Sequence, residues 1–142
     1  MEKKKIIWID DDIETPILDP YVDELEEDGF SIIKVKKTDG FMDLIKNESD
    51  TITAILVDII MPPGDIDFGE ARGGLRTGIV ILKKILEDRD LETIPKIVVS
   101  NVDDSVVIDF CKKQSIPCLS KGEYFSNTFV EKVKELILKE LK

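Results

Sequence analysis

Five short apolar runs punctuate this chain: KIIWI (5–9), SIIKV (31–35), TAILV (53–57), KIVVS (96–100) and PCLS (117–120). The stretches between them have the spacing of helices rather than strands. Runs this short and β-branched, bounded by Asp, Gly and Pro, read as buried parallel strands, because a strand covered on both faces needs no strict apolar–polar alternation. Parallel neighbours require crossovers, and right-handed crossovers place helices on both faces of the sheet. Five βα units in this order therefore predict an α/β protein, a doubly wound five-stranded parallel sheet in a three-layer sandwich.

The helices carry their own signals. Asp19-Pro20 reads as an N-cap and first-turn pair ahead of Tyr21, Val22 and Leu25, and Thr38 as the cap of a helix burying Phe41, Leu44 and Ile45. A third, strongly apolar helix follows Thr77. Asp103 or Asp104 starts a fourth with Val106, Val107 and Phe110 inward, and Ser126 or Asn127 starts the last, with Phe129, Val133, Leu136, Ile137 and Leu141 on one side. A chain of 142 residues without repeats or low-complexity linkers implies one core and one domain, 1–142.

Charge and composition exclude several functions. A formal net charge of −10, from 30 acidic and 20 basic residues, disfavours direct binding to nucleic acid or to an anionic membrane, both of which need a basic patch. MEKKK is followed by too few apolar residues for a secretion signal, so a cytoplasmic protein is expected. The chain has no histidine, which excludes a His base, and the two cysteines, Cys111 and Cys118, leave zinc short of ligands. They read as two reduced thiols in or near the core.

In a doubly wound sheet, function gathers beyond the carboxyl ends of the strands. Asp10, Asp11 and Asp12 follow the first strand and Asp58 the third; Ser100 ends the fourth, and Lys121 follows the fifth. The second strand delivers only Lys36 and Lys37, which read as solvated surface. Asp10, Asp11 and Asp58 bring three negative charges to one rim and Lys121 one positive, a deficit that one divalent cation removes. Oxygen ligands with room for a phosphate point to Mg²⁺. Asp12 is better explained as a loop or helix-capping residue.

Asp10-Asp11 after an apolar strand, Asp58 within LVDIIMPPG, Ser100 ending KIVVS and Lys121 ending CLSK together resemble the receiver domain of two-component response regulators. The resemblance runs from about Lys4 to Leu141 and implies a flavodoxin-like (βα)5 fold. It implies that Asp58 is the phosphoacceptor and that Asp11, Asp58 and the backbone carbonyl of Ile60 hold Mg²⁺, with Asp10 acting through water. Ser100 and Lys121 would engage the phosphoryl oxygens. The implied partners are a sensor histidine kinase or histidine phosphotransfer protein and a downstream protein target, reached through helix 4, strand 5 and helix 5; a homodimer stays open. No turnover of an external substrate is implied.

Several positions depart from that pattern. Cys118 stands where receivers often carry an aromatic switch residue, Gly122 follows Lys121 where Pro is usual, and Asn101 replaces a small residue next to Ser100, where it affects access. Ile60 and Val102 are apolar where polar side chains help to orient water, so slow self-dephosphorylation is expected. Between strand 3 and helix 3 the segment PPGDIDFGEARGGLRTG, about 62–77, is roughly a dozen residues longer than usual and reads as a mobile loop. Asp65 and Asp67 within it lack the remaining ligands of a calcium loop. No effector domain is expected after helix 5, and a stand-alone protein and a receiver cut from a longer one both stay open.

Two other readings stay open. Asp10 and Asp12 have the spacing of the first motif of haloacid-dehalogenase-type phosphatases, but the expected acidic metal motif after Lys121 is missing and Asp58 is unexplained. A receiver-like module that binds partners without phosphorylation is the other, and the complete set of rim residues weighs against it.

Overall fold

A computed structural model describes residues 4–101 and 103–140. Val102 and Leu141, on which two of the sequence expectations rest, lie outside the described residues. Strands β1 (Lys4–Ile9), β2 (Phe30–Val35), β3 (Ile52–Val57), β4 (Lys96–Val99) and β5 (Cys118–Leu119) form one sheet in the order β2-β1-β3-β4-β5. Every pairing is parallel. The helices are α1 (Asp19–Glu27), α2 (Phe41–Asn47), α3 (Thr77–Leu86), α4 (Ser105–Lys113) and α5 (Ser126–Glu140), and a 3-10 turn spans Arg72–Gly74. This is the predicted doubly wound, flavodoxin-like sandwich.

Alternate side chains of each strand feed two cores. Ile7, Ile9, Ile55, Val57 and Val98 pack under α2, α3 and α4, meeting Phe41, Ile81 and Val107. Ile6, Trp8, Ala54, Leu56 and Val99 face α1 and α5, meeting Val22, Leu25 and Val133. Because both faces are covered, β1 from Ile6 to Ile9 and β3 are apolar at nearly every position, which is why they read as continuous runs. Trp8 stacks on Phe129 with ring centroids 5.6 Å apart, and Tyr21 meets Phe129 edge-on at 5.0 Å, pinning α1 and α5 together.

The structure corrects several local expectations. β5 is two residues long rather than four. Leu18, not Asp19, is the N-cap of α1. Thr38 does not cap α2, whose N-cap is Gly40 at φ +72°; its hydroxyl donates instead to the Pro63 carbonyl at 2.6 Å. Asp104 is the N-cap of α4, accepting from the Val106 amide at 3.0 Å, and Val106 itself is exposed while Val107 is buried.

The 62–77 segment reads as a mobile loop but is folded onto the body. Ile66 and Ala71 are buried in the core under α3. The Met61 amide donates to the Gly74 carbonyl at 3.1 Å, and the Thr77 hydroxyl donates to the Met61 carbonyl at 2.6 Å. Asp65 and Asp39 tie the segment to the start of α2, the Asp65 amide donating to Asp39 at 3.0 Å and the Gly40 amide to Asp65 at 3.2 Å. Buried Ile66 and Ala71, together with these hydrogen bonds, anchor a glycine-rich segment.

Candidate functional site

Backbone hydrogen bonds continue the parallel ladder past the strand ends and set the rim residues side by side. The Asp10 amide donates to Val35 at 2.9 Å and the Asp58 amide to Ile9 at 3.0 Å; the Ser100 amide donates to Leu119 at 3.0 Å and that of Lys121 to Ser100 at 3.3 Å. Four residues far apart in sequence thus share one edge. Gly78 fixes the depth of Asp58: its amide donates to the Ile59 carbonyl at 3.0 Å, and a Cβ there would meet the Asp58 carbonyl and lie 2.7 Å from the Ile59 Cα. Only glycine lets α3 come this close.

Lys121 is the centre of the arrangement. Its Nζ lies 2.7 Å from Asp10 Oδ2 and 3.2 Å from Asp58 Oδ2. Asp10 is fully buried and Asp58 nearly so. The other oxygens are held by backbone donors, the Asp12 amide on Asp10 Oδ1 at 2.8 Å and the Ile59 amide on Asp58 Oδ1 at 2.9 Å. Ser100 stands beside the Asp58 carboxylate and favours its charged form. Gly122, at φ +78°, turns the chain away directly after Lys121.

Burial dominates the electrostatics. It raises the Asp10 carboxyl above its ordinary range, reinforced by the Asp58 charge and only partly offset by Lys121. Burial likewise raises Asp58 in spite of Lys121 and Ser100, and raises Asp11, with Asp12 and Asp10 adding to the effect. For Lys121, burial alone would lower the ammonium, but its close contact with Asp10 and the Asp58 charge outweigh it and the net shift is upward. One lysine does not balance this many carboxylates.

The donor set fits a hard divalent cation. Asp10, Asp11 and Asp12 each offer a carboxylate oxygen, all within 4.8 Å of one another. Asp10 Oδ2 is buried without a hydrogen bond of good geometry, its partner being the Lys121 ammonium. Oxygen-only donors of this kind suit Mg²⁺ or Mn²⁺ rather than a soft metal. Asp12, expected as a loop or helix-capping residue, lies in the turn after β1 with a carboxylate oxygen in this group, whereas Asp58 joins Asp10 through Lys121.

The expected residues Asp11, Asp58, Ile60, Ser100, Asn101 and Lys121 line a single open cleft above Asp10. Cys118 does not; it sits farther back on β5, beside Val98. Sequence reasoning passed over Tyr21 and Ile17, which line the same cleft from the β1–α1 side. It also missed the ion pair of Arg76 with Asp104, 2.8 Å from Nε to Oδ2, which joins the 62–77 segment to the cap of α4. No signal links two residues 28 apart. Among the described residues no helix is long and apolar enough to cross a membrane.

No family model matches the sequence, and no curated protein does at a significant level. Solved structures do. A response regulator receiver domain protein (CheY-like) from Methanospirillum hungatei JF-1 is 23% identical, with a TM-score of 0.72 over 99% of this chain and 98% of that one. The phosphorylated cyanobacterial phytochrome response regulator RcpA is 20% identical, with a TM-score of 0.69 over 96% and 95%. The Mn²⁺-bound form of response regulator Rcp1 is 17% identical, with a TM-score of 0.68 over 93% and 92%. At nearly full coverage in both directions, the chain has the receiver-domain fold of response regulators.

Proposed function

We propose that this protein is a phosphorylation-controlled signalling receiver that accepts a phosphoryl group on Asp58 from a sensor histidine kinase or histidine phosphotransfer protein. The observation that carries the reading is Lys121 Nζ lying between two buried carboxylates, 2.7 Å from Asp10 and 3.2 Å from Asp58, in a cleft open to solvent. An Asp58 oxygen attacks phosphorus, the bond from phosphorus to the donor breaks, and the donor leaves with that electron pair. The attacking carboxylate has no proton to lose, so a chain without histidine needs no general base. Lys121 and the Ser100 hydroxyl stabilise the oxygens of the transferred group, on which charge is spread in a loose transition state. Asp10, Asp11 and Asp58, with the Ile60 backbone carbonyl, would hold Mg²⁺, and Asp12 stands close enough to contribute. A bound divalent cation supplies positive charge for the phosphoryl oxygens at this rim. A Mn²⁺-bound neighbour among the solved receivers supports a divalent ion in such a cleft.

Phosphorylation adds acceptor oxygens that draw Ser100 and Lys121, and both are continuous with the elements that follow β4 and β5. The α4–β5–α5 face is then the surface offered to a downstream protein target, in the cytoplasm and without turnover of an external substrate. Incubation with acetyl phosphate, with Mg²⁺ or with EDTA, followed by peptide mass spectrometry, tests the reading. A Mg²⁺-dependent, alkali-labile adduct on Asp58 that is lost in Asp58→Asn supports it. An adduct on Asp10 would favour the phosphatase reading, and absence of any adduct would favour a module that binds without phosphorylation.

A further inference from the structure

Cys111 lies in the last turn of α4 and is buried, while Cys118 opens β5 and is exposed. Cys118 pairs in register with Val98, and register partners on neighbouring strands send their side chains to the same face. Val98 packs in the same core as Cys111, so Cys118 faces α4. The two thiols are close enough to perturb each other: Cys111 lowers the Cys118 thiol below its ordinary range against the opposing effect of burial, and Cys111 is pushed up by Cys118 and by its own burial. An exposed cysteine whose thiol is lowered, next to a buried one, is the arrangement of an attacking and a resolving thiol. A groove lined by Cys111, Lys112, Pro117 and Lys139 reaches Cys111 from the side of the α4–β5 connection.

We infer that Cys118 and Cys111 are a peroxide-oxidisable dithiol that closes an intramolecular disulfide between β5 and α4. The Cys118 thiolate attacks one oxygen of hydrogen peroxide; the O–O bond breaks, and the departing oxygen takes the electron pair and a proton as water. Cys118 is then a sulfenic acid. The Cys111 sulfur attacks the Cys118 sulfur, the S–O bond breaks, and the oxygen leaves as a second water with the Cys111 proton. The two thiols lose two electrons to the peroxide. A disulfide needs Cα atoms about 4.4–6.8 Å apart, and a two-residue edge strand that pairs only with β4 has the freedom to reach that geometry. The bridge would tether α4 to β5; that this restrains a signalling face rests on the function proposed above, but formation of the bridge does not.

The test treats the full chain with hydrogen peroxide, denatures it, alkylates free thiols and weighs it. Loss of both alkylation sites in a monomer two hydrogens lighter, restored by dithiothreitol, is the expected result. Cys118→Ser, an exposed change, should leave Cys111 fully alkylatable after the same treatment, and Cys111→Ser should leave Cys118 as a sulfenic acid that dimedone traps. Two alkylatable thiols in the treated wild type would overturn the inference. So would a disulfide between chains, or Cys118 driven to sulfinic acid while Cys111 stays free. None of these readouts depends on phosphorylation, so failure here and failure of the Asp58 adduct are distinguishable.

Discussion

At the rim, Lys121 lies 2.7 Å from Asp10 and 3.2 Å from Asp58; on the 62–77 segment, Arg76 lies 2.8 Å from Asp104. The contacts are similar and the consequences opposite. Arg76 holds Asp104 below the usual aspartate range by a two-pronged hydrogen bond, and the pair is complete. Asp10 and Asp58 are raised despite their lysine, because burial removes more solvation than one shared ammonium returns. An ion pair at the edge of solvent is structural, whereas buried carboxylates in excess of their cation leave a demand for more positive charge.

Removing Lys121 should break this comparison most severely. Lys121→Met leaves two buried carboxylates without their ammonium and should cost about 3–5 kcal/mol at neutral pH without metal, read by urea unfolding. A loss no larger than that of Arg76→Ala would mean the rim carboxylates are not held by Lys121. Gly78→Ala comes next, at about 1–3 kcal/mol, because its methyl group must push α3 off the Asp58–Ile59 backbone. It should also slow Asp58 phosphorylation, which a merely local packing defect would leave untouched. Arg76→Ala should lower the melting temperature less than Lys121→Met and leave adduct formation on Asp58 intact.

The pH dependence separates the two regions by sign. In metal-free protein the raised carboxyls of Asp10 and Asp58 bind more protons folded than unfolded between the ordinary value of 3.8 and their raised values. Their effect is a gain in stability as pH falls from neutral toward 3.8. Asp104 and Asp88, both lowered, contribute stability that is present above 3.8 and lost as pH falls through their folded values. A stability profile measured in EDTA should therefore rise, then fall, on acidification, and in Asp10→Asn the rise should shrink.

The fold was legible because covering both faces of a parallel sheet writes continuous apolar runs, and β1 and β3 carry them at full strength. β5 was read too long: Ser120 and Pro117 flank a two-residue pairing that hydropathy does not delimit. The rim was legible for a different reason, since topology alone carries Asp10, Asp58, Ser100 and Lys121 to one edge. What stayed hidden depends on contacts distant in sequence. Thr38 looked like a cap because its true partner, Pro63, lies on a segment whose glycines suggested mobility. Arg76 gave no sign of meeting Asp104.

Thermal unfolding against Mg²⁺ concentration, in the wild type and in an Asp10→Asn, Asp11→Asn double variant, tests most directly whether the rim is a cation site. A saturable rise in melting temperature in the wild type, worth about 2.7 kcal/mol at a hundred times Kd and absent in the variant, is the predicted result. An equal response in both proteins, or no response in the wild type, would contradict it.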